Sequence, residues 1–238
     1  MNRIGRARNH HHAHLVLMLV LTFSTGVIDA VGFLGFDRVF TGNMTGNVVI
    51  LGMGLAGVDD LPVAGPALAL VGFMVGAAIA GRAMRHKAPG SWAVSTTTVF
   101  GTVGATVLAT AVYVAVVESF SYVVTIVITT VLGTAMGLQA AAARVIAVKD
   151  VTTVVVTSSI TGLAADSWFG ARNPGGGARR IAAVVVLLVG AGVGAASVVR
   201  NPGLGLLVAA IVILAVALFG AFPVREPATN MPATTSVV

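Results

Sequence analysis

Six long apolar stretches run along this chain, separated by short polar or Gly/Pro-rich breaks. Each stretch is close to the ~20 apolar residues that an α-helix needs to cross the hydrocarbon core of a bilayer. The pattern therefore predicts an all-α integral membrane protein with six transmembrane helices. The predicted spans are residues 14–36, 62–81, 93–117, 122–143, 181–199 and 204–222.

Two shorter apolar segments that contain many polar residues follow the first and the fourth predicted span. They are FTGNMTGNVVILG at residues 40–52 and VTTVVVTSSITGLAAD at residues 151–166. Matched, interrupted segments in the two halves of a membrane protein are typical of the substrate site of a secondary transporter. Their sequences allow two arrangements, because each segment could cross the membrane or enter and leave on the same side.

The distribution of Lys and Arg favours the second arrangement. With six crossings and a cytoplasmic N-terminus, 12 of the 14 basic residues lie inside and only Arg38 and Arg200 lie outside. If both short segments crossed, seven basic residues would lie on each side. Cytoplasmic loops carry the excess of Lys and Arg in membrane proteins. The sequence therefore predicts six helices plus two re-entrant or broken segments, with both termini in the cytoplasm.

Each half of the predicted transmembrane domain, residues 14–222, holds three crossings and one short segment. The halves are residues 14–117 and 122–222, between a basic cytoplasmic tail at 1–13 and a disordered cytoplasmic tail at 223–238. Repeats with an odd number of crossings insert in opposite orientations, so two inverted three-helix repeats are predicted. Short matches support a duplication: GVIDA at 26–30 with GLQAA at 137–141, and T-x-x-x-T-G starting at Thr41 and at Thr157.

Composition and charge restrict the partners. The chain is 57% hydrophobic and 9% charged, against about 25% charged residues in soluble domains. The net charge of +6 comes from basic residues at the ends of apolar spans, where they contact lipid headgroups. No basic face suited to nucleic acid is present. The lipid bilayer is the predicted partner, and the sequence leaves a homo-oligomer open.

Asp29 is an acidic residue well inside the first predicted span. A charged side chain at this depth costs at least ~2.5 kcal/mol, so it is expected to face the bundle interior or water. One interpretation is a proton or cation relay. The other is a structural acid, protonated and hydrogen-bonded to a backbone carbonyl or to Asn43 or Asn47.

The first polar segment supplies Thr41, Asn43, Thr45 and Asn47 as candidate substrate-binding residues. Thr and Asn can cap a half-helix whose N–H groups point at a ligand, which favours a small anion or zwitterion. The alternative is structural, with Gly42 and Gly46 forming a packing seam and the polar side chains satisfying a broken backbone.

The second polar segment supplies Thr157, Ser158 and Thr161, with Gln139 on the preceding predicted span. These residues are the proposed counterpart of the first segment in a shared midplane site. Here too a structural alternative stands, since Ser and Thr in membrane helices often bond the carbonyl four residues earlier. Asp166 ends the segment and is expected to cap it or to pair with Arg172.

The sequence predicts no metal site, no cofactor and no enzymatic activity. His10, His11, His12 and His14 lie in the N-terminal tail without Cys or carboxylate partners. Hydrolysis within a bilayer would need a paired acid, a Ser–His pair or a metal cluster. Asp29 has no second membrane acid clearly opposite it.

The residues GVIDAVGFLG at 26–35, VFTGNMTGN at 39–47 and the long segment at 137–166 resemble the YoaK family of bacterial membrane proteins of unknown function. The resemblance covers roughly residues 15–222 and implies a six-helix protein of the bacterial inner membrane. It brings no activity, substrate or catalytic residue. The family usually reads G-x-Q-N-A in the second half, where this chain has Ala140 in place of the Asn.

Together these features predict a small-solute transporter or permease with a midplane site between two re-entrant segments, coupled to protons through Asp29. The alternative is a non-transporting scaffold or envelope-assembly protein, in which the polar motifs only hold the bundle together. The expected location is the bacterial plasma membrane.

Overall fold

The structure, a computed structural model, describes residues 3–87, 92–117, 119–146, 156–168 and 176–221, with side chains from residue 13 onward. All regular structure in these ranges is helical, which confirms the all-α prediction. Six helices are long and apolar enough to cross a membrane, the first of them over Ala13–Gly35. The helices are α1 Arg3–Gly35, α2 Met44–Leu55, α3 Ala64–Met84, α4 Val94–Val116, α5 Tyr122–Ile146, α6 Val156–Ala165, α7 Gly177–Val198 and α8 Pro202–Ala221.

Most residues of the predicted N-terminal tail are helical. Residues 3–13, expected as a separate tail, continue α1 as one helix. Arg and Ala favour helix, and this stretch contains no proline to end it. The predicted disordered tail at 223–238 lies outside the described residues, as do residues 147–155.

Close crossing of α3 and α5 depends on glycine. A Cβ added at Gly76 would overlap the carbonyl oxygen of Thr134, and one at Gly137 would overlap that of Phe73. Small residues let membrane helices approach until their backbones touch. Later residues of α3 contact later residues of α5, so the two helices run in the same direction.

The crossing of α1 and α7 repeats this arrangement. A Cβ at Gly190 would overlap the carbonyl oxygen of Phe23, and one at Gly194 would lie 2.5 Å from that of Val27. Helices α1 and α7 therefore also run in the same direction. The glycine pairs Gly72/Gly76, Gly133/Gly137 and Gly190/Gly194, each four residues apart, all lie at these two crossings.

Helices α4 and α8 pack against each other in opposite directions. Gly104 lies against Leu214, whereas Gly203 lies against Ala111 and Ala115. Helix α4 also packs on α5, and helix α8 also packs on α1. The buried apolar core lies between these four helices; its largest side chains include Met18, Leu21, Phe100, Leu132 and Ile213.

Every helix pairing in the described residues has a counterpart when the two halves are exchanged. Helices α1 to α4 of the first half correspond to α5 to α8 of the second. The contact between α1 and α7 then corresponds to that between α5 and α3, the contact between α1 and α8 to that between α5 and α4, and the contact between α2 and α3 to that between α6 and α7. The contacts α4–α8 and α1–α5 map onto themselves. Such a pattern is expected of two structurally related halves, and the insertion of the halves in opposite orientations stays a prediction.

The segment after α1 turns back into the protein. Asp37 and Arg38 have left-handed φ values of 54° and 56°, and they reverse the chain just beyond the end of α1. Gly32 leaves space for the returning segment, because a Cβ at this position would lie 2.7 Å from the carbonyl oxygen of Val39. Within the predicted 40–52 segment, helix α2 starts at Met44, and it continues to Leu55.

Helix α2 ends on the side of the bundle from which its segment entered. Gly65, at the start of α3, lies against Val39, just past the end of α1. Arg38 also donates a hydrogen bond to the carbonyl oxygen of Asp60 in the loop between α2 and α3. With 12 residues, α2 is about 18 Å long, too short for a ~30 Å hydrocarbon core. These contacts describe a re-entrant hairpin, and they make α3 antiparallel to α1.

Candidate functional site

Asp29 holds the tip of the re-entrant hairpin. Its Oδ1 accepts hydrogen bonds from the backbone N–H groups of Thr41 at 3.0 Å, Gly42 at 2.6 Å and Asn43 at 3.4 Å, and from the Thr41 hydroxyl at 3.3 Å. Successive N–H groups that converge in this way form an anion-binding concavity. The anion held there is the protein's own carboxylate.

Two asparagines complete the hairpin. The side chain of Asn47 accepts from the N–H of Phe40 at 2.9 Å and donates to the carbonyl oxygen of the same residue at 2.6 Å. Asn43 caps α2 by accepting from the N–H of Gly46. Asn47 is fully buried whereas Asn43 is exposed. Asn47 therefore serves the backbone, and Asn43 both caps the helix and presents its amide outward.

A cavity of about 900 Å³ opens beside Asp29, between α1, α2, α7 and the start of α6. Asp29, Asn43 and Thr45 line it from the first half, and Thr157 lines it from the second. Four of the predicted site residues therefore share one space. Five lining residues carry a polar side chain, the fifth being Thr25, and the others are glycine or apolar.

Asp29 lines this cavity, and its two carboxylate oxygens differ in their hydrogen bonds. The residue is half-buried, and all its hydrogen bonds in the described part of the chain go to Oδ1. Oδ1 is therefore the structural oxygen of the carboxylate. Oδ2 is the one left to take up a proton or to bind a cation.

Gln139 and Thr41 lie behind the cavity wall. Gln139 is fully buried in α5 and donates from Nε2 to the hydroxyl of Thr25 at 3.2 Å, while that hydroxyl donates to the carbonyl oxygen of Leu21. Thr25 thus connects Gln139 to the cavity lining. Within the described residues, Gln139 Oε1 is buried without a hydrogen-bond partner.

The second segment contributes less than the first. Ser158 and Thr161 are exposed and lie outside the cavity lining. Asp166, expected to cap or to pair with Arg172, instead forms an ion pair with Arg180 at 2.5 Å. Arg172 lies outside the described residues. The ion pair joins the residue just after α6 to the first turn of α7. Arg180 also packs over Gly162 of α6.

An aromatic pair in the cavity wall was not anticipated from the sequence. Phe33 and Phe40 line the cavity with stacked rings whose centroids are 4.8 Å apart. Gly46 accommodates Phe40, because a Cβ there would lie 2.7 Å from the ring. Phe33 is four residues after Asp29, so helical spacing alone placed it on the same face.

Comparison with known proteins identifies the family. The family described as "Protein of unknown function (DUF1275)" matches residues 17–219. The chain belongs to the DUF1275 family. This confirms the resemblance found in the sequence. A relative, the UPF0700 transmembrane protein YoaK of Bacillus subtilis (strain 168), is 39% identical over 64 residues, which cover 27% of this chain and 28% of that protein. No solved structure matches.

The description of DUF1275 assigns no activity, so the chemistry must be read from the site itself. Among the described lining residues of this DUF1275 protein, Asp29 is the ionisable one. In the same part of the chain, no group of three His, Cys, Asp or Glu residues could hold a metal ion. The absence of a metal site and of a cofactor stays a prediction. The lining of the cavity consists of one carboxylate, three hydroxyls, one amide and otherwise glycine and apolar residues.

Proposed function

We propose that this protein is a small-solute transporter or permease of the bacterial plasma membrane, with both termini in the cytoplasm. The observation that carries the proposal is the shared cavity, in which Asp29 and Thr45 of the first half face the same space as Thr157 of the second. Solute sites of secondary transporters lie between such broken segments. We assign no catalytic step to the cavity.

The helix directions support alternating access by two inverted repeats. Helix α5 runs parallel to α3 and therefore antiparallel to α1, its counterpart in the first half. Small-residue crossings join α1 to α7 and α3 to α5, so each of these two pairs mixes the halves. The cavity is lined by α1, α2, α6 and α7, and α2 packs on α3. Movement of α2 with the α3–α5 pair against the α1–α7 pair would change access to the cavity.

Proton coupling is assigned to Asp29. Oδ1 is fixed by the hairpin, so a proton taken up at Oδ2 would change the charge of the cavity without releasing the loop. The charge of the lining would then switch between −1 and 0. Such a switch changes the affinity for a charged solute, which is the requirement for coupling.

The test is solute-driven proton movement in proteoliposomes that contain an internal pH dye. Erythritol, glycine, choline and lactate serve as neutral, zwitterionic, cationic and anionic probes. At least one is expected to enter faster than into protein-free vesicles and to move protons. Asp29→Asn should abolish the proton signal, whereas Asp59→Asn, at an exposed loop acid, should leave it intact.

Two results would count against these assignments. Entry of all four probes at the protein-free rate contradicts transport. An unchanged proton signal in Asp29→Asn, with solute entry retained, removes Asp29 from the coupling mechanism.

A non-transporting scaffold is the second candidate, and one observation favours it. Asp29, Asn47 and Gln139 all make hydrogen bonds within the protein. In a scaffold the polar residues would only stabilise the fold through these hydrogen bonds.

Cysteine accessibility separates the two candidates. The chain has no native cysteine, so single cysteines at Asn43 and Thr157 can be labelled without background. Labelling by a membrane-impermeant maleimide from opposite sides supports a solute pathway. Protection of both positions from both sides supports the scaffold.

A further inference from the structure

We infer that the cavity binds a monovalent organic cation, an ammonium centre that carries carbon substituents, against Oδ2 of Asp29. The inference rests on the proposed function, because it names the solute class for the same cavity. Three observations support it: the charge of the lining, the hydrogen bonds that backbone N–H groups already make to Asp29, and the aromatic and aliphatic side chains of the walls.

The described lining residues carry one formal charge, that of Asp29, and no Lys, Arg or His among them opposes it. In a site partly shielded from water, one carboxylate attracts a cation over a longer distance and more strongly than it would in bulk water. The same charge repels an anion. The charge of the described lining therefore selects for a cation.

The backbone N–H groups at the tip of the hairpin, which could have bound an anion, are occupied. The N–H groups of Thr41, Gly42 and Asn43 converge on Asp29 Oδ1. The expectation of a small anion or zwitterion rested on N–H groups at the start of a half-helix. In the structure the three N–H groups just before α2 satisfy the protein's own carboxylate, and the N–H of Gly46 in the first turn donates to the Asn43 side chain. The other polar side chains of the lining are neutral hydroxyl and amide groups.

The walls suit a cation with carbon substituents better than a metal ion. Phe33 and Phe40 form an aromatic surface, and Val49, Ile50 and Leu187 add aliphatic surface. Aromatic rings attract ammonium ions, and quaternary ammonium groups are recognised in this way in other sites. Hard metal ions instead require about six oxygen ligands at close range. A cavity of about 900 Å³ with five polar side chains does not present such a shell.

The experiment compares three probes of one shape with different charge. Choline is the cation, 3,3-dimethylbutan-1-ol is its neutral isostere and 3,3-dimethylbutanoate is the anion. Binding to purified full-length protein in nanodiscs is measured by calorimetry. Choline is expected to bind at least about tenfold more tightly than the neutral alcohol, and the anion more weakly than both.

Two variants locate the preference at the cavity. Asp29→Asn should reduce choline affinity to that of the alcohol while leaving alcohol affinity within about twofold. Because Asp29→Asn could weaken the hairpin, Thr157→Lys provides an independent variant that adds a positive charge at an exposed lining residue. It should abolish choline binding and leave the hydrogen bonds of Asp29 in place. Thr161→Lys, at an exposed residue of α6 outside the cavity lining, is the matched control and should retain the preference.

The outcomes separate this inference from the proposed function. Tighter binding of the anion or of the alcohol overturns the cation assignment, and so does failure of choline to bind. Transport stands in those cases if any probe enters proteoliposomes faster than protein-free vesicles. Choline binding without entry of any probe supports the cation site and contradicts transport.

Discussion

The N–H of Gly42 donates a 2.6 Å hydrogen bond to Oδ1 of Asp29, thirteen residues earlier in the chain. This bond fixes the depth of the re-entrant hairpin. Asp29 lies six residues before the end of α1, so the tip of the hairpin lies about 9 Å inside that end. Oδ1 of Asp29 therefore holds the loop, while the same residue lines the cavity.

We expect Asp29→Ala to destabilise the protein much more than Asp29→Asn. Alanine leaves the buried N–H groups of Thr41 and Gly42 without their acceptor, at about 1–3 kcal/mol each. Asparagine retains an acceptor oxygen. Thermal unfolding in detergent should show a drop of roughly 5–10 °C for alanine and less than half of it for asparagine. Equal drops for the two variants would show that Oδ1 does not hold the loop.

Alanine at Gly76 should disrupt the crossing of α3 and α5. The added Cβ would overlap the backbone oxygen of Thr134, which can move only if the helices separate. A cost of about 2 kcal/mol or more is expected from overpacking of this kind. Gly81→Ala on the same helix is the matched control, because nothing lies within 4 Å of its added Cβ.

The measurement for this pair is thermal unfolding together with expression level. Gly81→Ala should be neutral or slightly stabilising, since alanine favours helix. Gly190→Ala and Gly192→Ala form the equivalent pair on α7, where only the first Cβ overlaps a neighbour, the carbonyl oxygen of Phe23. Similar stability of the two members of either pair would contradict the close crossings.

Asn47→Ala should loosen the hairpin without changing the charge of the cavity. The variant leaves the N–H and C=O of Phe40 without the side chain that binds both of them. Exchange of the Phe40 amide hydrogen should become faster, and the melting temperature should fall by several degrees. Val48→Ala, at the neighbouring exposed position, is the control and should change neither quantity by a comparable amount.

The membrane orientation can be tested at Asp59 and Lys87. Six crossings place the loop after α2 outside and the loop after α3 inside the cell. Both residues are exposed in the structure, so single cysteines there should react with a membrane-impermeant maleimide. In intact cells only the Asp59→Cys variant should be labelled. Labelling of both positions from the same side would contradict the predicted topology and the inverted halves.

Candidate residues were recognisable from the sequence, but their roles were not. A polar residue in an apolar span stands out because its burial is costly, which marked Asp29, Asn47 and Gln139 alike. Asp29 faces the cavity and the hairpin, whereas Asn47 binds Phe40 and Gln139 binds Thr25. Which way each side chain points depends on neighbours far away in the chain. The sequence did not indicate Phe33 as a cavity residue, because aromatic residues are common in membrane spans.

The sequence by itself determined the six spans, because apolar length is a local property and the bilayer sets the length required. It also indicated two short polar segments, since interruption of an apolar run is visible without any partner. Only the tertiary structure decided that the first segment folds back onto Asp29 and that Thr157 shares a cavity with it. Those relationships join residues 12 to 128 positions apart. They depend on close helix crossings and on a chain reversal, whose geometry no local pattern specifies.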